Sequence, residues 1–412
     1  MKENVFDVLK ERGFIAQASD EPALRKMIST ERVTFYIGFD STSTSLHAGS
    51  LVPIMAMMYL QRAGHRPIAI VGGGTTMVGD PSGRDEMRQM LSEETIRANG
   101  KKIHAQLERY LHFDGKNSLA LDNADWILPL KYVDFLREIG RHFSVNRMLA
   151  AEAYKMRLEK GLSFIEFNYQ LLQAYDFLVL YRDYGCKLQM GGDDQWGNIL
   201  AGVDLIRRVE GGAAEALTFP LLTTATGAKM GKTAAGAIWL DADLLKPYEY
   251  YQYWINCDDR DVEKFLKLFT FLSMEQIKEI ASFEGSDIRK AKQILAFEAT
   301  KITHGEKAAQ EAEAAALAAF SPTTGGGLDA LPTTAIKQKR LAAGVSPLDL
   351  FVETGLSASR GEAKRLIKQG GMYVNDERIE SFESMLTEKD LTPSGILLRA
   401  GKKKYHRIVV GD

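Results

Sequence analysis

The sequence predicts an α/β protein in which a doubly wound parallel sheet is followed by a helical region and a small α+β domain. Short apolar runs alternate with longer helical patterns over about the first 240 residues, as strands and helices do around a parallel sheet. A run of Ser, Pro, Thr and Gly at 321–327 then interrupts the pattern and has the composition of a linker. At 412 residues the chain is too long for one ordinary core, so we expect two or three domains.

The strands of the sheet are predicted from apolar runs of strand length at residues 33–39, 67–72, 118–122 and 187–191. Helical patterns lie between them at residues 51–63, 92–111 and 165–181. This order predicts a Rossmann-like fold, whose ligands bind at the carboxyl ends of the strands. Polar residues that follow a strand are therefore the first candidates for a functional site.

The sheet domain is expected to occupy residues 1–246. Pro247 opens an all-helical region that ends in an Ala-rich run, which gives a helical domain at 247–320. Residues 321–344 are expected to form the linker. Residues 345–412 are long enough for a small domain of their own, and their helix and strand patterns predict an α+β fold.

Composition indicates a globular protein without the bulk charge of a nucleic-acid-binding polycation. Hydrophobic residues make up 45% and charged residues 26%, and 52 Lys and Arg face 54 Asp and Glu, so any RNA contact must come from local patches. Two cysteines, Cys186 and Cys257, are too few for a disulfide framework or a Cys-rich zinc site. No stretch approaches the roughly 20 apolar residues that cross a bilayer, and the first residues lack a signal-peptide pattern. We therefore expect a cytoplasmic protein without a membrane segment.

A hydroxyl-rich loop follows the first predicted strand and leads into a helix. The strand ends at Asp40, and His47 and Gly49 lie at the start of the helix. Free N–H groups and the positive dipole end of a helix N-terminus favour phosphate binding. His47 and Thr42 can donate hydrogen bonds to phosphate oxygens, and Gly49 leaves room for a flat base. On its own, a histidine at this position is more often a simple helix cap.

A second polar segment, Lys-Met-Gly-Lys-Thr at 229–233, follows about 180 residues later. Two lysines on a glycine-containing loop can place positive charge over a triphosphate, although such a loop alone is usually a solvated turn. Together, and in this order, the two segments resemble the HIGH and KMSKS signatures of class I aminoacyl-tRNA synthetases. The chain departs from these patterns at three positions: Ser50 replaces the second histidine, and Gly231 and Thr233 replace two serines.

Further segments resemble bacterial tyrosyl-tRNA synthetases, over most of residues 30–260: YIGFD at 36–40, GDPSGR at 79–84, YQLLQAYDF at 169–177 and GGDDQWGN at 191–198. Tyr169, Gln173 and Asp176 fall on one face of a helix that could line a pocket. The resemblance makes Asp176 the acceptor of the substrate hydroxyl, with Tyr36 donating back to its oxygen. It places Tyr169, Gln173 and Asp80 around the substrate ammonium group.

The same resemblance implies the activity of a tyrosine–tRNA ligase. Tyrosine would react with ATP to give tyrosyl-adenylate and pyrophosphate, and tyrosine would then pass to the 3′-terminal ribose of tRNA(Tyr). Magnesium would accompany ATP, with no metal held tightly by the protein itself. The implied ATP and adenylate contacts are Gly38, Asp40, Gly49, Ser50, Gly192, Asp194 and Gln195. The implied catalytic residues are Thr42, His47, Lys229, Lys232 and Thr233.

A basic helix pattern precedes two short strands near the C-terminus. Ser359 and Glu362 have capping-box spacing, and Gly370 suits the end of a helix. The pattern resembles the S-four-type RNA-binding domain, which makes tRNA the expected partner. Without the preceding segments, the same charges would as readily form a solvated face. The implied RNA contacts are Arg360, Lys364, Arg365, Lys368, Lys402, Lys403 and Lys404.

The family resemblance also implies a homodimer, with the apolar stretch 126–149 as the candidate interface, and an anticodon-side role for residues 247–320. Three alternatives remain open. They are a different nucleotidyl transferase that activates another small acid, a non-catalytic RNA-binding protein on the same scaffold, and a tryptophan-specific relative. The hydroxyl-reading residues Tyr36 and Asp176 favour tyrosine.

Overall fold

The computed structural model describes residues 4–82, 90–228, 230–233, 236–283, 285–320, 331–401 and 404–411. The chain divides into two compact units. One unit contains Met1–Leu244 and Cys257–Ala291, and the other contains Leu245–Asn256 and Lys292–Asp412.

The first half of the chain contains, in order, α1 (Val5–Glu11), β1 (Gln17–Ala18), α2 (Glu21–Thr30), β2 (Thr34–Asp40), α3 (Leu51–Arg62), β3 (Arg66–Gly72), α4 (Glu93–Leu107), β4 (Leu119–Asp122), α5 (Ala124–Ile127), α6 (Tyr132–Glu138), α7 (Val145–Leu149), α8 (Glu152–Lys160), α9 (Phe164–Phe167), α10 (Tyr169–Tyr184), β5 (Cys186–Gly192), α11 (Trp196–Glu210) and β6 (Glu215–Phe219). The second half contains β7 (Lys232–Thr233), β8 (Gly236–Ala237), α12 (Pro247–Ile255), α13 (Val262–Phe269), α14 (Met274–Ala281), α15 (Ile288–His304), α16 (Glu306–Phe320), β9 (Thr333–Lys337), α17 (Gln338–Ala342), α18 (Pro347–Glu353), α19 (Arg360–Lys368), β10 (Met372–Val374), β11 (Glu377–Arg378), β12 (Ile396–Ala400) and β13 (Lys404–Gly411).

The predicted doubly wound sheet is confirmed in the first unit. Its strand order, in the described part of the chain, is β1-β6-β5-β2-β3-β4, and all neighbours are parallel except β1 and β6. The apolar runs of the sequence became β2, β3, β4 and β5, because buried parallel strands carry apolar residues on both faces. The chain order reverses between β2 and β5. In open α/β sheets this reversal opens a crevice outside the carboxyl ends of the two strands.

The helical region expected at 247–320 is divided between the two units. Residues 257–291, with α13 and α14, belong to the first unit because their backbone is tied to its helices. The guanidinium group of Arg12 donates to the carbonyl oxygens of Lys267 and Thr270 at 3.0 and 3.2 Å. The hydroxyl of Tyr59 donates to the same Thr270 oxygen at 2.8 Å.

The second unit contains a small sheet with the strand order β11-β10-β12-β13-β9. Its core includes Phe351 from α18, Ile367 from α19 and Leu398 from β12. The linker expected at 321–344 is too long, because β9 pairs in parallel with β13 and places Thr334 beside Ile408. Residues 321–330 lie outside the described residues. The strand was missed because Ile336 is its one buried side chain, so β9 has little apolar signal.

The described part of the chain has no helix that is both long and apolar enough to span a membrane.

Candidate active site

A cavity of about 530 Å³ opens at the carboxyl ends of β2 and β5, where the strand order reverses. Its walls come from these strands, the loop after β2, the start of α3 and one face of α10. The sequence-predicted residues that line it are Tyr36, Gly38, Asp40, Thr42, His47, Gly49, Ser50, Asp80, Tyr169, Gln173, Asp176, Gly192, Asp194 and Gln195. Residues from distant parts of the sequence therefore meet in one site.

One end of the cavity is closed by the carboxylate of Asp176, which is 4% exposed. The Asn123 side-chain amide donates to Oδ2 at 2.9 Å, and the Trp126 indole donates to Oδ1 at 2.7 Å. Burial raises the pKa of Asp176 to about 7, although both hydrogen bonds lower it. Two donors thus orient a buried acceptor that still has lone pairs for a further partner.

Two buried polar groups near this end have no hydrogen-bond partner among the described residues. They are the Tyr36 hydroxyl and the side-chain carbonyl oxygen of Gln189, which lie on paired positions of β2 and β5. Burial, and then the charge of Asp176, raises the pKa of Tyr36, so its hydroxyl stays protonated and can donate. Unpaired buried polar groups cost stability, so both groups are available to a ligand that can pair with them.

A group of acidic and amide side chains lines the middle of the cavity. Asp80 accepts from the Ser82 backbone N–H at 2.9 Å and from the Gln195 side-chain amide at 2.6 Å. Burial, and then the charge of Asp40, raises the pKa of Asp80. The side-chain carbonyl oxygen of Gln173 is buried and lacks a partner among the described residues. A concentration of acceptors and negative charge of this kind suits a cationic group such as an ammonium.

The start of α3 forms the mouth of the cavity. The Nδ1 atom of His47 accepts from the Gly49 backbone N–H at 3.0 Å, which assigns the ring proton to Nε2. A side chain at Gly49 would come within 2.8 Å of the His47 ring and 3.2 Å of the Met230 carbonyl oxygen. The glycine is therefore required by close packing between two distant parts of the chain.

We call residues 222–233 the lysine loop, and its Met230 and Gly231 pack against this mouth. Gly231 has a φ of +80°, and a side chain there would lie 2.7 Å from the Gly49 backbone nitrogen and 2.9 Å from His47 Nδ1. Gly231 stands where the KMSKS signature has a serine. The glycine has a structural reason here, since a side chain would disrupt the packing of Gly231 on Gly49 and His47. Lys229 lies outside the described residues. The backbone of Lys232 and Thr233 forms β7, which pairs with β8.

The predicted RNA-binding residues belong to the other unit. Arg360, Lys364, Arg365 and Lys368 are exposed on α19. Its N-cap Ser359 accepts from the Glu362 backbone N–H, but the Glu362 carboxylate accepts from the Ala358 N–H rather than from that of Ser359, so the expected capping box is incomplete. Arg360 is paired with Asp349, and the Lys364 ammonium lies 5.1 Å from the centre of the Phe382 ring. Lys404 is exposed at the start of β13. Lys402 and Lys403 lie outside the described residues.

Sequence reasoning missed three residues of the site: Asn123, Trp126 and Gln189. Asn123 directly follows β4, at the same carboxyl edge of the sheet as Asp40, so the rule that found Asp40 could have found it. Gln189 is a polar residue inside an otherwise apolar strand, which is itself a signal. Nothing in the sequence indicates that Trp126 points its indole N–H at Asp176.

Comparison with known proteins agrees with this geometry. Residues 28–321 match the family described as "tRNA synthetases class I (W and Y)", and residues 326–408 match the "Tyrosine--tRNA ligase SYY-like C-terminal domain". The chain is thus that of a class I aminoacyl-tRNA synthetase. The chain is 54% identical to the "Tyrosine--tRNA ligase" of Desulfatibacillum aliphaticivorans over 100% of both chains, and 56% identical to that of Syntrophus aciditrophicus over 99% of both. It therefore belongs to the tyrosine–tRNA ligase family.

A solved structure leads to the same family. A C-terminally truncated mitochondrial tyrosyl-tRNA synthetase from Aspergillus nidulans superimposes with a TM-score of 0.69 at 30% sequence identity, covering 76% of this chain and 93% of that one. The family expected from the sequence is confirmed, and the tryptophan-specific alternative is not supported by these relatives.

Proposed function

We propose that the cavity binds tyrosine and ATP, forms tyrosyl-adenylate, and serves the charging of tRNA(Tyr). The observation that carries the choice of tyrosine is the buried Asp176 carboxylate, which Asn123 and Trp126 orient beside an unpartnered Tyr36 hydroxyl. A phenol hydroxyl donates to Asp176 and accepts from Tyr36, so it satisfies both groups. A phenylalanine or tryptophan side chain cannot form both bonds.

The substrate ammonium is bound in this proposal by the acceptors in the middle of the cavity. Gln173 supplies a buried carbonyl oxygen, Asp80 supplies a carboxylate, and Tyr169 lies on the same face of α10. The adenylate ribose and phosphates then extend from the middle of the cavity towards its mouth and meet the remaining predicted contacts on the way. These contacts are Gly38, Asp40, Gly49, Ser50, Gly192, Asp194 and Gln195.

The first chemical step joins the tyrosine carboxylate to ATP. A carboxylate oxygen attacks the α-phosphorus, the bond from that phosphorus to the bridging oxygen breaks, and pyrophosphate leaves with the electron pair. The carboxylate is already ionised at neutral pH, so no protein base has to remove a proton. The protein's contribution is to hold both substrates in line and to place donors and cations around the phosphoryl oxygens.

Donors from two sides of the mouth perform this task in our proposal. Thr42 and the Nε2–H group of His47 meet the phosphates from the start of α3. Lys229, Lys232 and Thr233 meet them from the lysine loop, which packs on the same turn through Gly231.

Mg²⁺ accompanies ATP in this proposal. No group of three or more His, Cys, Asp or Glu residues in the described ranges could hold a metal ion. In nucleotide sites Mg²⁺ is commonly bound mainly by phosphate oxygens and water. When bound, it neutralises charge on the triphosphate, and we assign it no ligand from the chain.

Amino-acid-dependent exchange of labelled pyrophosphate into ATP tests the proposed function. Among the twenty amino acids, tyrosine is expected to support rapid exchange and phenylalanine to support far less. Rapid exchange with tryptophan or another acid, or none with tyrosine, would overturn the proposal.

In the second step tyrosine passes to the terminal ribose of tRNA, which we propose is held in part by α19 and the start of β13. Because charging of tRNA serves translation, we place the enzyme in the cytoplasm.

The double variant Lys364→Ala/Lys368→Ala should bind tRNA(Tyr) more weakly than the unsubstituted protein. A plot of the logarithm of its tRNA affinity against the logarithm of the salt concentration should also be less steep, by about 1 for each lost phosphate contact. Its pyrophosphate exchange should be unchanged. The variant Lys187→Ala, at an exposed lysine of β5 outside both proposed tRNA-binding regions, is the control. An unaltered slope in the double variant would contradict this role.

We further propose that the protein is a homodimer that associates through the stretch 126–149. This stretch exposes apolar side chains on and around α6, among them Tyr132 at 60% and Val133 at 72% exposure. Neighbouring exposed apolar residues of this kind mark association surfaces.

The double variant Tyr132→Glu/Val133→Glu should be a monomer, because a dimer would bury the two introduced carboxylates in its interface. Sedimentation equilibrium measures this change in mass. The control Leu317→Glu changes an exposed apolar residue of α16 and should leave the mass unchanged. A monomeric unsubstituted protein, or a dimer that survives the double substitution, would exclude this interface.

A further inference from the structure

The lysine loop has a turn at its tip and a backbone pairing at its base. At the tip, the Thr224 N–H donates to the Ala228 carbonyl oxygen at 2.8 Å. At the base, the Met230 N–H donates to the Leu222 carbonyl oxygen at 2.9 Å. These local bonds set the shape of the loop, but they do not fix its position relative to the cavity.

Two side chains at the start of α13 bind the part of the loop that precedes the lysines. Asp261 accepts from the Ala225 backbone N–H at 2.8 Å through Oδ2. Lys264 donates to the Thr223 carbonyl oxygen at 2.9 Å. The two side chains also pair with each other, since Lys264 Nζ lies 2.7 Å from Asp261 Oδ1. We call Asp261 and Lys264 the clamp. Both side chains bind backbone atoms of the loop, so their contacts do not depend on which side chains the loop carries.

Helix capping does not explain the position of Asp261. It is the N-cap residue of α13, where an aspartate usually accepts from the first turn of its own helix. Its side chain makes no such bond. The residue is 1% exposed, and a buried carboxylate is costly unless it is paired and hydrogen-bonded. Its oxygens are paired instead with Lys264 and with the loop.

The second contact of the loop lies on the other side of Lys229. Gly231 packs on the Gly49 backbone nitrogen and on His47. The loop is therefore held at Thr223 and Ala225 by α13 and at Gly231 by the mouth of the cavity, and Lys232 directly follows the second contact. A lysine next to such a fixed contact loses less freedom when it meets a phosphate than a lysine on a free loop does.

We propose that Asp261 and Lys264 are positioning residues for adenylate formation, which act by fixing the lysine loop over the mouth of the cavity. This inference rests on the proposed role of Lys229 and Lys232 in the same step. Neither Asp261 nor Lys264 lines the cavity. Their loss therefore changes the rate of the chemical step and leaves tyrosine binding unaltered.

The variants Asp261→Ala and Lys264→Met test the clamp in the full-length protein. Each should slow single-turnover formation of tyrosyl-adenylate about 10- to 100-fold, since misplacing catalytic groups by about 1 Å has effects of that order. The dissociation constant of tyrosine, measured by equilibrium titration, should stay the same. Glu263→Ala is the matched control, because Glu263 lies on the same helix and pairs with Lys267 rather than with the loop. Lys264 is partly exposed, so Lys264→Met also covers the case in which Asp261→Ala fails to fold.

A variant cycle in a background that lacks both loop lysines separates positioning from a purely structural effect. If the clamp acts through the loop lysines, adding Asp261→Ala to the double variant Lys229→Ala/Lys232→Ala should cause no further loss of rate. Fully additive losses, or a parallel loss of tyrosine affinity, would overturn the inference while leaving the proposed function intact. An unimpaired Lys232→Ala variant would overturn the proposed role of the loop itself, and the inference with it.

Discussion

Replacing Asp176 by alanine is expected to lower kcat/KM for tyrosine in pyrophosphate exchange roughly 10- to 150-fold, the value of a hydrogen bond to a charged group. The value for phenylalanine should stay the same or rise. Phenylalanine leaves the buried Asp176 carboxylate and the Tyr36 hydroxyl without a substrate partner, and the substitution removes the larger of these two penalties. The ratio of kcat/KM for tyrosine to kcat/KM for phenylalanine should therefore fall, because the first value decreases while the second stays the same or rises.

Asp176→Asn is the matched variant, because it keeps the volume of the side chain. Its amide has one acceptor oxygen, so it cannot accept from Asn123 and Trp126 through two oxygens as the carboxylate does. Thermal unfolding of both variants distinguishes a loss of selectivity from a loss of fold. Selectivity that survives in both variants would show that the phenol does not reach Asp176.

The preference should also depend on pH in a defined direction. Burial raises the pKa of Asp176 to about 7, so the free site loses its ionised acceptor as the pH falls through that value. The tyrosine hydroxyl donates best to the ionised carboxylate, so the dissociation constant of tyrosine should rise as the pH falls from about 8 to about 6. Phenylalanine offers no donor, and its dissociation constant should not rise. Equal pH dependence for both amino acids would argue against an ionised Asp176 as the acceptor.

The sheet was predictable because its central strands are buried on both faces and therefore form continuous apolar runs. Two strands that escaped prediction, β6 and β9, lack such a continuous apolar run. In β6 the apolar run is short and ends at Pro220, whereas in β9 a single side chain is buried. Likewise, residues 257–291 look like the rest of the helical region in sequence. Their place in the first unit depends on hydrogen bonds from Arg12 and Tyr59, which no local pattern encodes.

Much of the site was predictable for a different reason. Residues that follow parallel strands meet at one edge of the sheet, and residues four apart on α10 share a face, so motifs alone were enough to select cavity residues. The sequence does not give the distances between residues that are far apart in the chain. The sequence could not show that Asn123 and Trp126 orient Asp176, nor that Gly231 has a positive φ and packs on Gly49. These contacts join segments that are far apart in the chain, and no periodic pattern in the sequence marks them.

The variant Lys232→Ala should slow adenylate formation about 10²- to 10³-fold, the range seen when one preorganised donor to a developing charge is lost. The backbone of Lys232 is held in β7 by pairing with Ala237, directly after the residue that packs on the Gly49 turn. In the proposed binding mode the backbone of this segment lies at the phosphate end of the substrate path, away from the phenol and the ammonium. The dissociation constant of tyrosine should therefore be unchanged.

Pre-steady-state rates measured beside equilibrium titration decide whether the lysine acts in the transition state or in ground-state binding. A fall in rate at constant tyrosine affinity means that the interaction forms only as charge develops on the phosphoryl oxygens. Lys187→Ala is the control, since Lys187 is an exposed lysine of the same unit that pairs with Glu31 outside the cavity. Equal losses of rate and tyrosine affinity would place Lys232 beside the amino acid instead, and the orientation of the substrates along the cavity would then have to be reversed.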